Sequence, residues 1–128
     1  MARKTILAID DSITQLKIFE TFLGVHYDFS LIKSAAEAFK ALEKKDFDLI
    51  LLDIEMPDIS GFEFFHEIRK IPKLMTTPVI IISSFAKDFP RSKCAGAFAV
   101  LAKPIDSGQL LETIEKALAA PAKKPFDV

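Results

Sequence analysis

Two runs of four aliphatic residues, Leu49–Leu52 and Val79–Ile82, constrain this chain more than any other feature. A run so short and so apolar reads as a strand buried on both faces. Such strands occur in parallel sheets covered by helices above and below. Thr5–Ile9, Phe29–Ile32 and Phe98–Leu101 are three further strand candidates, and helical patterns separate the five. Five strand-then-helix units imply right-handed crossovers and an α/β, doubly wound sheet with helices on both faces.

The helices carry start and stop signals. Ser34-Ala35-Ala36-Glu37 and Ser60-Gly61-Phe62-Glu63 fit capping boxes, and Asp106 is a candidate cap for the last helix. Leu110, Leu111, Ile114, Ala117 and Leu118 give that last helix one apolar stripe. The first helix is expected to turn Ile13, Leu16, Phe19 and Leu23 inward, and Gly24 to end it. Between Asp88 and Gly96 there is room for a helix of about one to two turns, with Pro90 inside it.

One domain accounts for the length. A chain of 128 residues, half of them apolar and 27% charged, can bury one core and is not intrinsically disordered. Residues 1–119 are expected to form the domain, and 120–128 (A-P-A-K-K-P-F-D-V) a short extended tail. Seventeen basic residues against eighteen acidic ones argue against a nucleic-acid partner. No apolar stretch is long enough to span a membrane, and Met1-Ala2-Arg3-Lys4 lacks a secretory signal. The chain therefore reads as cytoplasmic, and the single Cys94 as a reduced, inert thiol.

In an open α/β sheet, ligands bind beyond the carboxyl ends of the strands. Asp10 and Asp11 follow the first strand, Asp53 ends the third, Ser83 and Ser84 follow the fourth, and Lys103 and Pro104 follow the fifth. Three carboxylates at about 4 Å and an effective dielectric near 20 repel by on the order of 4 kcal/mol per pair. A hard divalent cation relieves this, and Mg²⁺ is commonly held by one or two carboxylates, waters and a phosphoryl oxygen. Metal, ammonium and hydroxyl together make a clamp for a phosphoryl group in transfer.

The arrangement resembles the receiver domain of bacterial two-component response regulators, over roughly Lys4 to Leu118. The motifs that carry the resemblance are strand–Asp10-Asp11, Leu51-Leu52-Asp53-Ile54-Glu55-Met56-Pro57, Gly61, Pro78-Val79-Ile80-Ile81-Ile82-Ser83-Ser84, Gly96-Ala97 and Lys103-Pro104. The resemblance implies a flavodoxin-like fold with strand order 2-1-3-4-5. It also implies Asp53 as phosphoacceptor, and Asp10, Asp11, Asp53 and the backbone carbonyl of Glu55 as the Mg²⁺ site. Ser83 would be the switch hydroxyl that binds the phosphoryl group on Asp53, Lys103 would pair with the phosphoryl oxygens, and the bond before Pro104 would be cis. The donor would be a sensor histidine kinase or a His-phosphotransfer protein. The chain would then act as a stand-alone switch for a downstream protein, with a homodimer left open, and would be no enzyme beyond its own phosphorylation and dephosphorylation.

Two departures fall on the surface most receivers use for output. Val100 stands where an aromatic switch residue is usual, and the stretch from Ser83 to Lys103 is short. The expected coupling therefore runs from Ser83 through Ser84 and Phe85 toward Pro90. Phe85, Phe89 and Phe98 are candidates for exposure to a partner. The same departures suit an alternative, a pseudo-receiver that binds proteins without being phosphorylated. A second alternative, an aspartyl-phosphate phosphatase, would need an Asp where Glu55 stands and a cap domain. The Glu55 side chain reads equally as a solvated loop charge or a tuning group. His26 and His66 have no metal-spaced partner, and Lys123-Lys124 reads as solvated tail.

Overall fold

The computed structural model describes residues 3–56, 58–85 and 95–120. Five strands, β1 (Thr5–Ile9), β2 (Asp28–Ile32), β3 (Leu49–Asp53), β4 (Val79–Ser83) and β5 (Ala99–Ala102), form one parallel sheet in the order β2-β1-β3-β4-β5. Among the described residues, four helices connect or follow them: α1 (Ile13–Leu23), α2 (Ala35–Lys44), α3 (Gly61–Arg69) and α4 (Ser107–Ala119). A 3-10 turn, Pro72–Leu74, follows α3. The expected short helix around Pro90, Phe89, Cys94 and the tail from Pro121 lie outside the described residues.

The sheet divides its side chains by the period of two along each strand. Leu7, Ile9, Ile50, Leu52, Val79 and Ile81 face α2 and α3, burying Ala38, Leu42, Phe64, Phe65 and Ile68. Ile6, Ala8, Leu49, Leu51, Ile80, Ile82 and Leu101 face α1 and α4, burying Leu16, Phe19, Leu110 and Ile114. The two aliphatic runs are the two fully buried strands β3 and β4, which the register places side by side. Val100 of β5 packs against the α2/α3 side.

Ile13 departs from expectation. It is 49% exposed, whereas Leu16, Phe19 and Leu23 are buried. At 3.6 residues per turn it lies roughly 90° round the helix from the centre of that stripe, on its flank. Gly24 does end α1, but in right-handed α conformation, with its N–H on the Glu20 carbonyl. The amides of His26 and Tyr27 then turn back to the Leu23 carbonyl, so no left-handed cap is required. Ser60 caps α3 through the Phe62 amide rather than that of Glu63, and Ser12, which the sequence reading passed over, caps α1 through the Gln15 amide. Ser34 and Asp106 cap α2 and α4 as expected.

Two anchors hold the ends of the sheet. At the amino end of β4 the Arg69 guanidinium donates to the carbonyls of Leu74 and Thr77, both at 2.7 Å, and of Gly96 at 3.2 Å. Gly96 has φ +95°, a conformation open to glycine and strained for other residues. At the carboxyl end, Gly61 lets α3 start directly beneath the loop after β3. A Cβ there would fall 2.5 Å from the Ile54 Cα and 2.8 Å from the Asp53 carbonyl oxygen. Asp58, in the same loop, accepts from the Ala35 and Ala36 amides and so ties that loop to the start of α2. Because backbone cannot yield as a side chain can, Gly61→Ala should cost about 1–3 kcal/mol, the usual range for overpacking. Urea denaturation measures this, and an unchanged midpoint would contradict the close approach.

Candidate functional site

Asp10 and Asp53 are built alike. Each closes a buried strand, and each gives one carboxylate oxygen to a backbone amide two residues on. Asp10 Oδ1 accepts from the Ser12 amide at 2.9 Å, and Asp53 Oδ1 from the Glu55 amide at 3.1 Å. The other oxygens, Oδ2 of both residues, are buried and receive no directed hydrogen bond. Both lie beside one ammonium. Lys103 Nζ is 3.4 Å from Asp10 Oδ2 and 3.3 Å from Asp53 Oδ2. Asp11 stands exposed at the rim, and ligand atoms of Asp10, Asp11 and Asp53 lie within 4.8 Å of one another.

β5 delivers Lys103 because its amide continues the ladder onto the Ser83 carbonyl at 3.0 Å. The Lys103–Pro104 peptide is cis. Ser83 ends β4 with no exposed surface. Its hydroxyl accepts from the Phe85 amide at 3.0 Å and donates to Glu55 Oε1, also at 3.0 Å. The Ser84 amide donates to the same Glu55 oxygen at 3.2 Å.

The Glu55 side chain is thus no solvated loop charge. It folds back over the site, half-buried, with Oε2 enclosed and without a hydrogen-bond partner. A loop residue 28 positions away from Ser83 gives no sequence period by which to foresee this contact. Phe85 is 60% and Phe98 39% exposed, as anticipated for that edge. His26 and His66 are exposed surface residues.

Four carboxylates around one ammonium leave the site short of positive charge. Burial pushes the Asp53 carboxyl up to about 8, helped by the neighbouring Glu55 carboxylate and by the charge of Asp10. Burial also pushes Glu55 upward, but the adjoining Asp53 carboxyl and the bonds from the Ser83 hydroxyl and the Ser84 amide outweigh it and hold Glu55 low. Lys103 is raised: burial opposes its charge, and Asp53 and Asp10 more than offset that.

The family model described as "Response regulator receiver domain" matches residues 6–115. The chain belongs to this family, whose members are signalling domains rather than classical enzymes. The polar-differentiation response regulator DivK of Brucella ovis is 30% identical over 118 residues, covering 90% of this chain and 96% of that protein. The probable transcriptional regulator ycf29 of Porphyra purpurea is 32% identical over 117 residues, 90% of this chain. The chain spans 56% of that relative's length and 26% of another, the transcriptional regulatory protein ZraR of Salmonella typhimurium. A receiver domain from the Pseudomonas aeruginosa sensor kinase PA1611, described with magnesium in its active-site cleft, superposes with TM-score 0.84. It is 25% identical and covers 93% of this chain and 100% of its own. Among the described residues no helix is long and apolar enough to cross a membrane.

The raised Asp53 carboxyl sets a pH dependence. Between its ordinary 3.8 and about 8, the folded protein keeps a proton that the unfolded chain releases. More protons bound to the folded state mean that stability falls as pH rises through this window. Glu55, held below 4.5, acts with the opposite sign and at lower pH. Denaturant titrations in chelator should show the fall from about pH 5 to about pH 8, and Asp53→Asn should flatten it. Wild-type stability that rises over this range would contradict the charge balance described here.

Proposed function

We propose that this receiver takes a phosphoryl group on Asp53 from the phosphohistidine of a sensor kinase or a His-phosphotransfer protein, and thereby switches its binding to a downstream protein. The observation that carries the reading is the pair of buried Oδ2 atoms, on Asp10 and Asp53, converging on Lys103 with no other donor. Asp53 Oδ2 is the nucleophile. It forms the O–P bond as the donor's P–N bond breaks and the leaving imidazole takes a proton. Lys103 then balances charge on the phosphoryl oxygens, and Ser83 offers a hydroxyl donor on the neighbouring strand.

The residues fit Mg²⁺. Hard oxygen donors, two of them buried and lacking hydrogen bonds, surround a point with excess negative charge. Asp10, Asp11, Asp53 and the Glu55 backbone carbonyl would hold the ion, with Asp10 often acting through water. When bound, Mg²⁺ supplies the positive charge that neutralises carboxylate and phosphoryl oxygens together. The magnesium in the PA1611 receiver supports this assignment. For output, Val100 packs against the core and has one main rotor, so it cannot report by swinging between surface and interior as an aromatic would. The signal leaves instead through Ser84 and Phe85.

Incubation with a small phosphodonor and Mg²⁺ should add one phosphoryl group in intact-mass measurement, and Asp53→Asn should abolish it. Labelling that persists in the variant, or a wild type that takes no label, would sink the reading in favour of a protein-binding module.

Mg²⁺ binds the assembled cluster and not the unfolded chain. At a hundredfold excess over Kd it should raise stability by about 2.7 kcal/mol. Asp11→Asn should raise metal-free stability by relieving repulsion and should remove most of the Mg²⁺ effect. Equal Mg²⁺ shifts in wild type and variant would contradict Asp11 as a ligand.

A further inference from the structure

We propose that the Glu55 carboxylate is an internal stand-in for the phosphoryl group, a latch that occupies the donors of the Ser83–Ser84 turn until phosphorylation displaces it. Glu55 is then a positioning residue for phosphorylation. The inference rests on the reading of Asp53 as phosphoacceptor and deepens it.

The argument is one of proton count. A serine hydroxyl has one hydrogen to give. Ser83 gives it to Glu55 Oε1 at 3.0 Å, while its oxygen is taken up by the Phe85 amide. The Ser84 amide also has one hydrogen, and it goes to the same Glu55 oxygen at 3.2 Å. Both donors at the end of β4, the strand paired with β3, are therefore already spent on an anion. A phosphoryl oxygen on Asp53 can receive either hydrogen only if Glu55 lets go.

The same event expels Glu55. A phosphoryl group brings roughly two negative charges. They would sit against the carboxylate that already holds the Ser83 hydroxyl and the Ser84 amide. Glu55 Oε2 has no partner to hold it. The side chain grows from a half-buried loop position, so an outward rotation leads to solvent. Phosphorylation becomes an exchange of one anion for another on a turn that is already shaped around an anion. The turn from Ser83 to Phe85 need not be built afterwards, and what is released is the Glu55 carboxylate.

Two measurements test the latch, and one of them needs no phosphorylation. In the resting, metal-free protein, Glu55→Ala should shift the Ser84 amide proton upfield and speed its exchange with solvent. Glu55→Gln, which keeps an acceptor without the charge, should fall between. The second measurement is the rate of labelling by acetyl phosphate at fixed Mg²⁺, read by intact mass. Glu55→Ala should be faster than wild type by on the order of tenfold, the size of one charge-assisted hydrogen bond. Glu55→Gln should again be intermediate, whereas simple charge repulsion predicts that Gln and Ala behave alike. In a Ser83→Ala background the gain from Glu55→Ala should shrink without vanishing, because the Ser83 bond is already gone while the Ser84 amide is still to be freed. An unmoved Ser84 amide in Glu55→Ala and Glu55→Gln overturns the latch whatever the labelling shows. Equal rates for wild type, Gln and Ala also overturn it. If the amide shifts as expected but wild type takes no label, the latch stands as a resting-state contact and the phosphoacceptor reading fails.

Discussion

An excess of negative charge at the carboxyl ends of two strands, β1 and β3, governs the rest of this structure. Asp10 and Asp53 each satisfy one oxygen with a nearby amide and turn the other toward Lys103. A single ammonium cannot balance them together with Asp11 and Glu55. Taking charges out of water costs several kcal/mol per ion unless partners compensate. The site meets that cost partly with Lys103 and partly through the raised proton affinity of the Asp53 carboxyl. The aliphatic strands below contribute rigidity, since β3 and β4 are buried along their whole length and cannot shift to relieve the repulsion. A stable sheet is thus what allows an unstable charge arrangement to persist at its edge.

How much of this could be read from the sequence follows from how local each signal is. β3 and β4 were legible because four consecutive aliphatic residues fit only a doubly covered strand. The carboxyl ends of β1, β3, β4 and β5 then located Asp10, Asp11, Asp53, Ser83 and Lys103 on one rim. Strand order and the placing of helices on two faces followed from the family resemblance and the crossover rule, and the sheet bears them out.

Contacts set by side-chain direction were not legible. The helical period put Ile13 on the inward stripe, but the packed face is narrower than the apolar pattern and leaves it on the flank. Glu55 could face water or fold inward with equal ease as far as its neighbours in sequence tell. Only the approach of the neighbouring strand β4, with Ser83 and Ser84 as donors, decides it. Asp58 belongs to the same class, since its bonds to Ala35 and Ala36 join loops that lie apart in the chain. Nothing in the sequence around Arg69 signals that it ties together three carbonyls from two separate segments.

The pinning of the loop after β3 has a consequence in time. Gly61 fits against Ile54 so closely that not even a methyl group can enter, and Asp58 is fastened to the first turn of α2. Backbone on either side of Glu55 is therefore held, and a large loop rearrangement would have to break both fastenings. Collective loop motions of that kind belong to nanoseconds and longer, whereas rotamer changes of accessible side chains take picoseconds to nanoseconds. A site framed this tightly answers a change of charge by turning one carboxylate. Its first response is then limited by the arrival of the incoming group and not by the relaxation of the protein around it.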